Sequence, residues 1–128
     1  MILKIMTKIL IETEIHATES SLKVKAAILN IFPDATFIKE ENTLVAEAQT
    51  LEKLKEMFFI QKIRNTARNV LLNSLGEEGL RFSLNKQAAF VGKANFAPPS
   101  PMGAINVHIT NNDLETVIDF LTEKHDTE

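Results

Sequence analysis

Apolar and polar side chains alternate over residues 8–17, where Ile9, Ile11, Ile15 and Ala17 are interleaved with Lys8, Glu12, Glu14 and His16. A period of two predicts a half-buried strand. Thr18 then reads as a helix N-cap, with Glu19 at the positive end of the helix dipole. Leu22, Ala26 and Leu29 recur at helical spacing until Pro33, which cannot continue a helix. Two short strands are predicted next, near residues 35–39 and 43–49. Leu44, Ala46 and Ala48 share a face of the second, and the polar residues 40–42 suit a hairpin turn.

Helical spacing returns after Thr50, a candidate cap, with Leu51, Leu54 and Phe58 on one side. Residues 61–75 repeat the pattern through Ile63, Ala67, Val70 and Ser74, with Leu71 at the edge. Gly76-Glu77-Glu78-Gly79 reads as a helix stop and turn. Leu80, Phe82 and Leu84 alternate with Arg81, Ser83 and Asn85, and residues 88–91 read as a further strand. The run 97–101 carries three prolines and must be extended or a turn. Ile105, Val107 and Ile109 alternate with Asn106 and His108. Asn112 and Glu115 then open a helix bearing Leu114, Val117, Ile118 and Leu121, and the polar tail at 124–128 is expected to fray. Hairpins mixed with helical connections predict a single α+β domain over residues 1–128, with helices covering one face of a largely antiparallel sheet. Leu10 and Val45 fall on the side opposite their strands' main apolar sets. Something must cover them, so a homodimer is expected.

Composition narrows the chemistry. The chain has 128 residues, 45% of them hydrophobic and 24% charged, and no cysteine. That rules out a disulfide framework, thiolate metal sites and a cysteine nucleophile. No apolar run approaches the roughly 18 residues that span a bilayer. Residues 1–11 are broken by Lys4 and Lys8 with no small-residue cleavage site after them, so no signal peptide is expected and a cytoplasmic location is. The net charge of −3 is unevenly spread: residues 1–50 carry −2, residues 51–96 carry +4 and residues 97–128 carry −5. A mildly acidic chain can therefore present a basic patch, and patches rather than totals bind phosphates.

Catalytic motifs are not found. The four glycines form neither a phosphate loop nor a dinucleotide fingerprint, and no serine sits in a nucleophile elbow. His16 and His108 fall on polar strand faces at no ligand-like spacing, so neither a metal nor another cofactor is expected, and the reading is non-enzymatic. In residues 61–75, Arg64 and Arg68 stand four apart and could grip adjacent phosphate oxygens. Arg68 borders the leucines, which favours a structural role, its stem on the core and its head on a carboxylate. Residues 85–96 interleave Asn85, Lys86, Gln87, Lys93 and Asn95 with Phe90 and Phe96. Lysines among amides and aromatics suit phosphate and base contacts. The alternative is that the phenylalanines anchor a loop and leave the lysines in solvent. Either way both lysines are expected to be accessible.

These stretches also carry a resemblance. His16-Ala17-Thr18-Glu19-Ser20, Asn30-Ile31-Phe32-Pro33, Gln61-Lys62-Ile63-Arg64-Asn65-Thr66-Ala67-Arg68 and Leu84-Asn85-Lys86-Gln87-Ala88-Ala89, with Gly92 and Asn95-Phe96, occur in order across residues 9–121. In this the chain resembles an archaeal group designated uncharacterised protein family 201, with Asn65 where that group carries an acidic residue. The resemblance implies a curved mixed sheet backed by helices, similar to the ribosomal protein that binds 5S ribosomal RNA, and it implies dimers. Some relatives are fused to a P-loop domain like a nucleotide kinase. No catalytic or binding residues are carried over from the group. The combined expectation is an RNA-binding protein, with Lys62, Arg64, Lys86 and Lys93 on phosphates and Asn85, Gln87 and Asn95 on ribose or bases. The alternative is an interaction module assisting a nucleotide-kinase-like protein.

Overall fold

The alternating segments come together in one sheet in the computed structural model, which describes residues 7–100 and 103–123. The expectations for the first six residues, for Pro101 and for the tail after Glu123 lie outside the described residues. The elements are β1 (Lys8–Glu14), α1 (Ser21–Ile31), β2 (Thr36–Glu40), β3 (Thr43–Ala48), α2 (Glu52–Ile60), α3 (Arg64–Asn73), β4 (Leu75–Gly76), β5 (Gly79–Asn85), α4 (Lys86–Phe90), β6 (Ala104–Thr110) and α5 (Leu114–Thr122). The six strands lie in the order β2-β3-β1-β6-β5-β4. Every pairing is antiparallel, as hairpins and helical returns allow.

Register explains the two faces. Ala48, Ile9, Ile109 and Leu80 form one cross-strand row, and Ala46, Ile11, Val107 and Phe82 the next. All eight are buried, against Val24, Ile28 and Ile31 of α1, Leu54 and Phe58 of α2, Leu71 of α3 and Val117, Ile118 and Leu121 of α5. The opposite face shows the rows Glu47, Leu10, His108, Arg81 and Val45, Glu12, Asn106, Ser83. Leu10 and Val45 do lie on that uncovered face, each half-buried. Ser83 Oγ donates to Asn106 Oδ1 at 2.6 Å there.

Several local expectations change. The first helix is capped by Ser20, whose Oγ accepts from the Lys23 N–H, rather than by Thr18. Its core face is Val24, Ala27, Ile28 and Ile31, whereas Leu22, Ala26 and Leu29 face solvent. Residues 88–91 do not form a strand. Asn85 Oδ1 accepts from the Ala88 N–H at 2.8 Å and starts the short helix α4. The expected turn at residues 76–79 is the turn of the β4–β5 hairpin, bounded by Gly76 and Gly79. Gly79 has φ +123°, and a Cβ there would stand 2.7 Å from the Ile109 carbonyl oxygen, so only glycine fits. The segment 95–97 extends the sheet past β4: Asn85 N donates to Asn95 O, and Ala97 N to Ser83 O. Phe96 stacks on Phe58 at 5.5 Å and meets Phe82 edge-on at 5.9 Å, so this phenylalanine is an anchor. Among the described residues no helix is long and apolar enough to cross a membrane.

Candidate nucleic-acid interface

Ion pairing decides which cations of the basic middle segment keep their charge available. Lys53 pairs with Glu56, Lys55 with Glu123, Arg68 with Asp119, Arg81 with Glu78 and Lys86 with Glu19. Arg68 Nη1 reaches Asp119 Oδ1 at 2.7 Å and Thr122 Oγ1 at 3.2 Å, which ties α3 to α5. Lys62 and Lys93 stand exposed and have no ion pair among the described residues.

Lys86 is a correction. Its side chain is only 1% exposed, and Nζ donates to the Glu14 carbonyl at 2.7 Å and to Glu19 Oε1 at 3.2 Å. A lysine held in this way cannot reach a phosphate. It fastens the 15–20 loop over α4. Burial pushes the Glu19 carboxyl up, but the His16 N–H and the Lys86 ammonium outweigh it and hold Glu19 below its ordinary value. Asn85 is likewise committed as the cap of α4. Gln87 is exposed on α4, and no hydrogen bond among the described residues joins it to Lys62 or Lys93.

The remaining candidates gather where α2 meets α3. Residues 61–63 were expected to be helical, yet the chain breaks there. Lys62 takes φ +60°, its N–H bonds the Phe59 carbonyl, and the Ile63 N–H bonds the Phe58 carbonyl. These paired bonds make a Schellman stop with lysine at the left-handed position that glycine usually fills. That conformation costs a residue with a Cβ about 1 kcal/mol. Gln61, which sequence reasoning did not single out, ties this turn to the 91–97 loop. Its Nε2 donates to Ala94 O at 3.0 Å, and its Oε1 accepts from Ala94 N at 2.9 Å. Nε2 also lies 3.4 Å from Asn95 Oδ1. Lys62 follows Gln61 and Lys93 precedes Ala94, so one glutamine holds the two unpaired lysines and Asn95 at the same end of the molecule. The only sequence signal for it was its place in the Gln61–Arg68 motif.

Arg64 opens α3 beside them. Its guanidinium lies 5.0 Å from the Phe59 ring centre, and Nη1 donates to the Glu123 carbonyl at 3.1 Å. Phe59, Ile60, Lys62, Arg64 and Asn65 together line a depression. The uncovered sheet face is the poorer place for phosphates: Glu12 and Glu47 lie on it, and its Arg81 is neutralised by Glu78 at 3.0 Å.

Comparison with known proteins places this arrangement among relatives. A family model described as RNA binding matches residues 8–111. A UPF0201 protein of Sulfurisphaera tokodaii is 41% identical over 130 residues, covering 93% of this chain and 89% of its own. A UPF0201 protein of Methanocaldococcus jannaschii is 38% identical over 121 residues, with coverage of 91% and 71%. The crystal structure of a UPF0201 protein from Methanococcus jannaschii superposes with a TM-score of 0.80 at 34% identity, covering 90% of this chain and 98% of that one.

Proposed function

The chain belongs to the UPF0201 family, and from that membership we propose that it binds RNA without catalysing a reaction, through the end of the molecule where α2 meets α3. The observation that carries the reading is the match of residues 8–111 to a family model described as RNA binding. The junction supplies fitting chemistry: two lysines with no ion pair among the described residues for phosphate oxygens, Arg64 beside the Phe59 ring for a base, and the Asn95 amide for ribose or base edges. The expected likeness of the sheet to the ribosomal protein that binds 5S ribosomal RNA points toward a structured RNA, by analogy of fold alone.

The test is competition. Structured RNA should bind in preference to heparin, a polymer of comparable charge, and replacing Lys62 and Lys93 together by alanine should weaken binding while Lys23→Ala on α1 leaves it unchanged. RNA held no better than heparin, or a Lys62/Lys93 double variant that binds like the wild type, would overturn the proposal. Pull-down of a nucleotide-kinase-like partner would then become the experiment to do.

A further inference from the structure

The depression at the α2–α3 junction combines features that phosphate binding alone does not require. Phe59 and Ile60 are consecutive, large and apolar, yet they are 43% and 64% exposed, while Leu54, Met57 and Phe58 of the same helix are buried. The Arg64 guanidinium carbon lies 5.0 Å from the Phe59 ring centre. Bases stack on aromatic rings and on arginine planes alike, so both groups suit contact with a planar heterocycle. Asn65, exposed on the same rim, offers both a donor and an acceptor to a base edge. Lys62 stands on the rim with no ion pair among the described residues, and Lys93 is brought alongside through Gln61.

We infer that this depression takes an unpaired nucleotide of the bound RNA, its base against the exposed Phe59 ring beside Arg64 and its phosphates beside Lys62 and Lys93. The inference rests on the RNA-binding reading and narrows it to a single-stranded element. In a duplex each base hides both faces in the stack, so a duplex can satisfy the lysines but not the ring.

The experiment compares a fluorescein-labelled 12-nucleotide single-stranded RNA with the blunt duplex of the same sequence, by anisotropy at one salt concentration. The single strand should bind at least about tenfold more tightly than the duplex, within the range that base stacking supplies. Phe59→Leu keeps the bulk and removes the ring. It should lower single-strand affinity about five- to 150-fold and leave duplex affinity and the salt dependence alone, and Phe59→Trp should restore it. Equal binding of single strand and duplex, or a Phe59→Leu protein within twofold of the wild type on the single strand, overturns the inference. If Lys62→Ala with Lys93→Ala still weakens binding in that case, the RNA-binding reading survives. A wild-type protein that binds neither RNA overturns both.

Discussion

Lys86 and Lys93 stand seven residues apart in one stretch and have opposite fates in the fold. What separates them is a carbonyl 72 residues away, that of Glu14, and the carboxylate of Glu19. No local pattern carries that information, so the burial of Lys86 was not legible in the chain. Replacing Lys86 by methionine keeps the stem but leaves Glu19, itself only 18% exposed, without its cation. A loss of about 3 kcal/mol is expected, because breaking one side of a buried pair strands the other charge. The pH dependence has a definite sign. Glu19 titrates below its ordinary value of 4.5 in the folded state, so its contribution is complete above that value and is lost as pH falls through the folded one. The melting temperature should therefore decline on the acid side, and Lys86→Met should decline less steeply, which thermal melts between pH 3 and pH 7 would show. Lys62 presents the reverse case. Lys62→Gly relieves the left-handed backbone and is expected to raise stability by about 0.5–1 kcal/mol in urea unfolding.

At the scale of elements, strands were legible because alternation is local and each strand has a wet face. Ile9 and Ile11, Leu44 and Ala46, Leu80, Phe82 and Leu84, and Ile105, Val107 and Ile109 all point as their spacing predicts. Helix faces were less legible where two apolar stripes compete. In α1, Leu22, Ala26 and Leu29 form a stripe as regular as Val24, Ile28 and Ile31, and only packing on the sheet chooses between them. Ile28→Ala should therefore cost about 2–5 kcal/mol, whereas Leu22→Ala, at 75% exposure, should change the unfolding free energy by less than about 0.5 kcal/mol. The reverse order in urea melts would mean that the helix is docked by its other face. The pair of helices α2 and α3 was expected, but the stop between them was placed too early, at the start of residues 61–63. It contains neither glycine nor proline, the residues by which a sequence usually announces a stop. The continuous helix expected over residues 61–75 thus concealed the turn that brings the candidate site together.

For the whole molecule, one layer of helices on an antiparallel sheet leaves two surfaces to consider. The uncovered sheet face bears carboxylates and a neutralised arginine, and the junction at the end of the helical layer bears Lys62 and Lys93, which have no ion pair among the described residues. The uneven charge along the sequence foretold a basic region but overstated its size, because at least five of its eight cations, Lys53, Lys55, Arg68, Arg81 and Lys86, are paired in the fold. RNA binding through Lys62, Arg64 and Lys93 therefore has a small electrostatic footprint. The most direct test is the affinity for single-stranded RNA measured across salt concentration, for the wild type and for Lys62→Gly. Two lysine–phosphate contacts predict a log–log slope of about −1.4, and losing one should bring it to about −0.7 with weaker binding, in a variant at least as stable as the wild type. A slope near zero, or a Lys62→Gly protein that matches the wild type in both affinity and slope, would contradict the account.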